Sequence, residues 1–117
     1  MERLRPRANF WAEAGEQVVL SQWRVRLLQA IREHGSISAA AQQLGIDYRL
    51  AWQRVHEMEE GLGHQLVDTQ VGGAGGGGAS LTPIAIDLIT RWEAFVRGLD
   101  TVVAERFSEA FAPPARE

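Results

Sequence analysis

The sequence predicts a mainly α-helical chain with a small β component. It reads as a winged helix-turn-helix with an N-terminal hairpin, a Gly-rich wing and a long C-terminal dimerisation helix. Three stretches carry that expectation. Residues 35–63, GSISAAAQQLGIDYRLAWQRVHEMEEGLG, hold two short helical patterns joined by a tight Leu44-Gly45-Ile46 turn, the shape of a helix-turn-helix. Residues 64–82 read as two strands around GGAGGGG. Residues 83–112 carry one apolar stripe at helical spacing.

Composition bounds the answer. At 117 residues and 45% hydrophobic content, one domain with a real core is expected. The chain has no cysteine, which excludes a disulfide framework and a thiolate metal site. No apolar run of about 18 residues is present, so no membrane span is expected. The start MERLRPRANFW lacks the apolar stretch of a secretory signal. A cytoplasmic protein is the expectation. The net charge of −3 does not announce nucleic acid, whose binders are usually basic. The placement of charge therefore matters more than its sum. Every fixed positive charge is arginine, the better fork for phosphate and guanine. Arg3, Arg5 and Arg7 cluster at the N-terminus, while acids gather at Glu57, Glu59 and Glu60 and along the last helix.

Residues 1–8 show no apolar periodicity and read as a flexible basic arm, ordinary for a terminus and also able to touch phosphate. Residues 9–82 form the winged helix-turn-helix domain. Within it, residues 9–20 read as a hairpin turning at Gly15, with aromatic and β-branched flanks. Ser21 caps a helix over QWRVRLLQAIREH, with Leu27, Leu28 and Ile31 on its inner stripe and Trp23 or Arg24 one turn earlier. Gly35 ends it. Ser36 or Ser38 caps AAAQQL, whose alanines allow close helix approach. Asp47 caps the next helix, from Tyr48 to about Gly61.

On that second helix Ala51, Val55, Met58 and Leu62 form the buried face. Arg49, Gln53, His56 and Glu57 lie opposite, with Tyr48 and Trp52 on the margin. A second helix of this kind enters the major groove and reads base edges near its N-terminus. Arg bonds bidentately to guanine and Gln to adenine. Double-stranded DNA is thus the expected partner. Its contacts are Arg49, Gln53 and His56 on bases, Tyr48 and Trp52 at the groove edge, and Ser38, Arg54 and the wing glycines Gly73, Gly75 and Gly76 along the backbone. A solvated polar face is the bland alternative, and the surrounding motif weighs against it.

After Gly63, residues 64–71 and 79–82 read as the strands of a wing. Six of the twelve glycines sit between them. They are no P-loop, because neither Lys nor Ser/Thr follows in the required context. A flexible linker is the plain alternative. Thr82 and Pro83 then open a helix over residues 83–112, about 42 Å long if straight, before a tail at residues 113–117. Leu88, Trp92, Phe95, Leu99, Val102 and Val103 form its stripe. A helix of that length outreaches a domain of roughly 13 Å radius of gyration. A second copy of the same helix, in a two-fold homodimer, is the expected cover. The alternative is a break near Gly98 that folds the helix back on its own core.

Gly35-Ser-Ile-Ser38, Ala40-Ala41, Leu44-Gly45-Ile46, Tyr48, Ala51-Trp52, Met58 and above all GGAGGGGASLT resemble the N-terminal DNA-binding domain of the molybdate-responsive regulator (ModE) family, over roughly residues 20–95. The helix-turn-helix also resembles that of LysR-type regulators, through Ala40-Ala41, Leu44 and Glu59-Glu60-Gly61-Leu62-Gly63. The resemblance implies a winged helix-turn-helix, a homodimer built on the last helix, and palindromic operator binding, with a molybdenum or tungsten link. Full-length members of that family carry molybdate-binding modules, for which 117 residues leave no room, so direct molybdate binding is not expected.

Two other function classes are weighed. A protein-interaction module would keep the fold and use its acidic surface for another regulator, binding DNA weakly or not at all. An enzyme would need a site that the chain does not offer. His56 and Glu60 are one turn apart, but His34, His56 and His64 do not assemble the three or four ligands of a metal centre, and no nucleophile motif is present. Neither a cofactor nor catalysis is expected.

Overall fold

Among the described residues the elements follow in the order β1 (Trp11–Ala14), β2 (Gln17–Ser21), α1 (Gln22–His34), α2 (Ile37–Leu44), α3 (Tyr48–Leu62), β3 (Val67–Gln70), β4 (Gly78–Leu81), α4 (Pro83–Val96) and α5 (Leu99–Ala110). The computed structural model describes residues 4–70 and 77–113. The expected hairpin, helix-turn-helix, wing and C-terminal helical stretch are all present.

Side-chain caps set the helix starts. The Ser21 hydroxyl accepts from the Arg24 N–H at 3.1 Å, and the Asp47 carboxylate accepts from the Leu50 N–H at 2.8 Å. Ser36 is the cap of α2, accepting from the Ala39 N–H at 2.9 Å, which leaves Ser38 exposed in the first turn. Thr82 accepts from the Ala85 N–H at 3.2 Å, with Pro83 at the first helical position. The turn between α2 and α3 needs a left-handed residue, and Gly45 supplies it at φ 71°.

Helix α1 is the hub. Leu27, Leu28 and Ile31 are fully buried, and each contributes about 1.5–3 kcal/mol of burial. Val25 joins them, while Trp23 packs at the margin. Helix α2 brings Ile37, Ala40 and Ala41 onto that stripe; α3 brings Ala51, Val55 and Met58; α4 brings Ala85, Ile89 and Trp92. Leu62 is only partly buried. The wing is antiparallel, pairing Val67 with Leu81 and Gln70 with Gly78. The Ala79 N–H donates to the Gly35 carbonyl at 2.8 Å, so β4 is bonded to the α1–α2 turn.

The structure changes two expectations. The C-terminal helical stretch is interrupted once, at Arg97-Gly98, where Gly98 takes φ 82°. A left-handed residue cannot continue a right-handed helix. The break does not fold α5 back on the core: α5 has no buried residue, and the molecule extends over 75 Å with a radius of gyration of 18.7 Å. Helix α3 also runs past Gly61 to Leu62 and ends at Gly63.

Gly61 has a different role. A register shift between Ala12 and Glu13 accompanies burial of Val19. Val19 packs so closely on α3 that a Cβ at Gly61 would lie 2.4 Å from its Cγ1. Gly61→Ala is therefore expected to destabilise by about 1–3 kcal/mol through overpacking, less about 1 kcal/mol gained in helix propensity. Val19→Ala in the same chain should relieve the clash, so urea unfolding of the double variant should be less than additive. Simple additivity would refute the contact.

Candidate nucleic-acid interface

Helix α3 presents its first two turns outward. Arg49 and Gln53 are exposed, and neither side chain makes a hydrogen bond or ion pair with another described residue. Tyr48 and Trp52 are 52% and 44% exposed. The Trp52 indole stacks on the His56 imidazole at 3.6 Å between centroids and 24° between planes. The Trp52 carbonyl accepts from His56 Nδ1 at 2.8 Å, which assigns a proton to that nitrogen, and Nε2 lies 4.0 Å from Glu59 Oε1. Unpaired Arg and Gln one turn apart beside an ordered aromatic ledge suit donor and acceptor edges of base pairs.

A groove of about 400 Å³ lies between this face and the wing. Tyr48 and Trp52 form one wall, Thr69, Gln70, Gly77 and Gly78 the other, and Ser36, Ile37 and Ser38 at the start of α2 close the end. Helix N-terminal amides and hydroxyls suit a phosphate. Gly73, Gly75 and Gly76 lie outside the described residues. Gly77 and Gly78, which the sequence reading did not single out, line the groove. A Cβ on Gly77 would meet the Gln70 carbonyl at 3.0 Å, and one on Gly78 the Gly35 carbonyl at 3.4 Å. The only available signal for them was membership of the glycine run.

Two of the acids on α3 have internal work. Glu57 accepts from Arg54 Nη1 at 3.1 and 3.2 Å and from Arg24 Nη2 at 3.2 Å. Arg24 Nη1 also reaches the Arg54 carbonyl at 3.5 Å. Arg54 is thus held on the α1 side by Glu57. Glu59 Oε2 accepts from the Leu66 N–H at 2.8 Å and the Val67 N–H at 3.1 Å, fixing the first residues of the wing to α3. Thr82 completes the junction, donating its hydroxyl to the Gln65 carbonyl at 2.8 Å while its N–H donates to the Leu66 carbonyl at 2.9 Å.

The stripe on the C-terminal helices divides. Trp92 is buried in its own chain's core, and Leu88 is half-buried against it. Phe95 and Val102 are 53% and 46% exposed, and Leu99 and Val103 are partly exposed. Phe10, at the root of the basic arm, meets Phe95 edge-on at 6.4 Å. The arm therefore joins the fold beside α4, not beside Arg49. Among the described residues no group of three His, Cys, Asp or Glu side chains could hold a metal, and no helix is long and apolar enough to cross a membrane.

A helix-turn-helix with an exposed second helix, flanked by an anchored wing, defines a winged helix-turn-helix DNA-binding domain. The family described as bacterial regulatory helix-turn-helix protein, lysR family, matches residues 23–85, more than half of the chain. The protein belongs to that family. It is 45% identical over 76 residues to the molybdenum-pterin-binding protein MopB of Rhodobacter capsulatus, covering 65% of this chain and 28% of MopB. It is 43% identical over 70 residues to the DNA-binding transcriptional dual regulator ModE of Escherichia coli K12, covering 60% of this chain and 27% of ModE. The chain thus spans under a third of the length of these relatives. The fold is shared with the DNA-binding domain in a BenM complex with benA site 1 DNA, at a TM-score of 0.57 and 22% identity over 78% of this chain and 97% of that one. It is also shared with the CbnR DNA-binding domain in its DNA complex, at 0.56 and 19% over 75% and 94%.

Removing the Glu59 carboxylate strands two amides at the base of the wing. Glu59→Ala is expected to cost about 1.5–3 kcal/mol, the scale of a hydrogen bond to a charged group. Amide exchange at Leu66 and Val67 should accelerate more than exchange in α1, and equal acceleration in both would contradict the anchor.

Proposed function

We propose that this protein is a sequence-specific transcriptional regulator that binds double-stranded DNA as a homodimer in the cytoplasm and acts on molybdenum-related genes. The observation that carries the DNA part is the unpaired Arg49–Gln53 face beside the groove walled by the wing. The helix of that face enters the major groove, with Arg49 and Gln53 on base edges and Tyr48 and Trp52 at the side. The groove's glycines and the Ser36–Ser38 turn face the backbone. The exposed Phe95 and Val102, with α5 wholly unburied, support pairing with a second copy, because an apolar stripe of this length calls for cover. The molybdenum link rests on the names of the relatives, two of which are a molybdenum-pterin-binding protein and the regulator ModE.

A second reading keeps the fold for protein interaction alone, favoured by the unpartnered α5. Salt separates the two. Duplex binding through several phosphates weakens steeply as salt rises. Selection of bound duplexes from a random pool at near-physiological salt should return a palindromic site. Failure to retain any duplex even at low salt would favour the interaction module.

Two variants test the parts. Arg49→Ala should lose roughly 1–3 kcal/mol of discrimination at one base pair of each half-site, whereas removing a residue that touches only phosphate would weaken all sequences alike. An unchanged consensus at unchanged affinity would displace the reading face. Phe95→Asp with Val102→Asp should leave the circular dichroism of the domain intact and convert a dimer to a monomer in sedimentation equilibrium. A dimer that survives both changes places the interface elsewhere.

A further inference from the structure

At about 100° per residue the order around α3 is Gln53, Arg49, His56, Trp52 and Tyr48, running from the exposed polar face towards the wing. Tyr48 and Trp52 form the α3 wall of the groove. Trp52 is not a loose surface ring. Its indole centroid lies 3.6 Å from that of the His56 imidazole, with 24° between the planes, and its carbonyl accepts from His56 Nδ1 at 2.8 Å. The stack covers one face of the indole, and the residue stays 44% exposed. A flat apolar surface is thus ordered before any ligand arrives, which lowers the entropy lost when a ligand covers it. The hydrogen-bonding residues beside it do not use it, so it is free to meet an apolar group.

The apolar group that base pairs present in the major groove is the C5-methyl of thymine. Across an A·T pair the groups run from adenine N7 and N6 to thymine O4 and then the methyl, so the methyl lies at the margin nearest its own strand's backbone. Trp52 holds the matching place on the protein. It stands between Arg49, which faces base edges, and the groove of Ser36, Ser38, Gly77 and Gly78, which faces the backbone. We infer that Trp52 is a specificity-determining residue whose indole packs on a thymine methyl, so that each half-site demands an A·T pair in one orientation at one position. This rests on the duplex-binding reading. The position is bounded by geometry. Trp52 follows Arg49 by three residues, a rise of about 4.5 Å along the helix against about 3.4 Å per base pair. The thymine therefore lies within about two base pairs of the pair that Arg49 reads.

The test uses the full chain and the duplex recovered by selection, with each thymine of the half-sites replaced in turn by deoxyuridine. Uracil pairs with adenine as thymine does and lacks only the methyl. At one position per half-site the wild type should bind the uracil duplex roughly two- to fivefold more weakly. Trp52→Ala should bind the thymine and uracil duplexes alike, whatever its affinity, at a salt low enough to saturate both. Trp52→Gln serves the same comparison should the alanine variant not fold. A merely structural Trp52 would weaken both duplexes equally and keep their ratio, which overturns the inference. So does a ratio abolished by Tyr48→Ala and not by Trp52→Ala, which assigns the methyl to the other ring. A folded Trp52 variant that binds no duplex at any salt makes the ring a support for the whole face and overturns it too. A wild type indifferent to every replacement, or a selected site with no thymine inside that span, overturns the inference and leaves duplex binding standing. Absence of any retained duplex overturns the duplex-binding reading and the inference with it.

Discussion

The burial of Leu27, Leu28 and Ile31 is the constraint on which the other elements depend. Helix α1 packs against α2, α3, α4, β2 and β4, and its buried stripe supplies the common surface. The small residues opposite it, Ala40, Ala41 and Ala51, let two helices approach the same stripe at once. The angle between α2 and α3 is then fixed by the Gly45 turn and by the shape of α1 rather than by contacts at the exposed face. That separation frees Arg49 and Gln53 from structural duty. A side chain that holds the fold cannot be spent on a ligand, and here the two tasks fall on opposite sides of one helix.

The negative net charge looks different once its partners are known. Glu57 is neutralised between Arg24 and Arg54, and Glu59 is consumed by backbone amides. What remains outward on the first turns of α3 is Arg49, Gln53 and two aromatic rings. The local field at the reading face is thus set by a short list of residues, and the sum over the chain describes it poorly.

Much of this was legible in the sequence where the signal was local. Ser21, Asp47 and Thr82 mark helix starts because a cap bonds an amide only three residues away. The stripe of α1 and the buried face of α3 follow from periodicity. The failures are long-range. Nothing near Arg54 announces Arg24, and nothing near Gly61 announces Val19, because those neighbours are brought in by tertiary packing. Glu59 reads in the sequence only as one of three clustered acids, because its amide partners lie across a turn. At Gly98 the sequence left a continuous helix and a break both open, because apolar spacing says helix on both sides, and the backbone angle decides for the break. The choice of Ser36 over Ser38 as cap was open in the sequence, and it decides which hydroxyl is engaged by the Ala39 amide.

The break at Gly98 also turns α5 into a lever. Twelve residues of helix make an arm of about 18 Å, so a rotation of roughly 10° about the glycine's dihedrals carries its tip about 3 Å. In the proposed dimer, a single residue without a side chain would therefore let the far end of α5 adjust to its partner by a few ångströms while the reading helix keeps its place on α1.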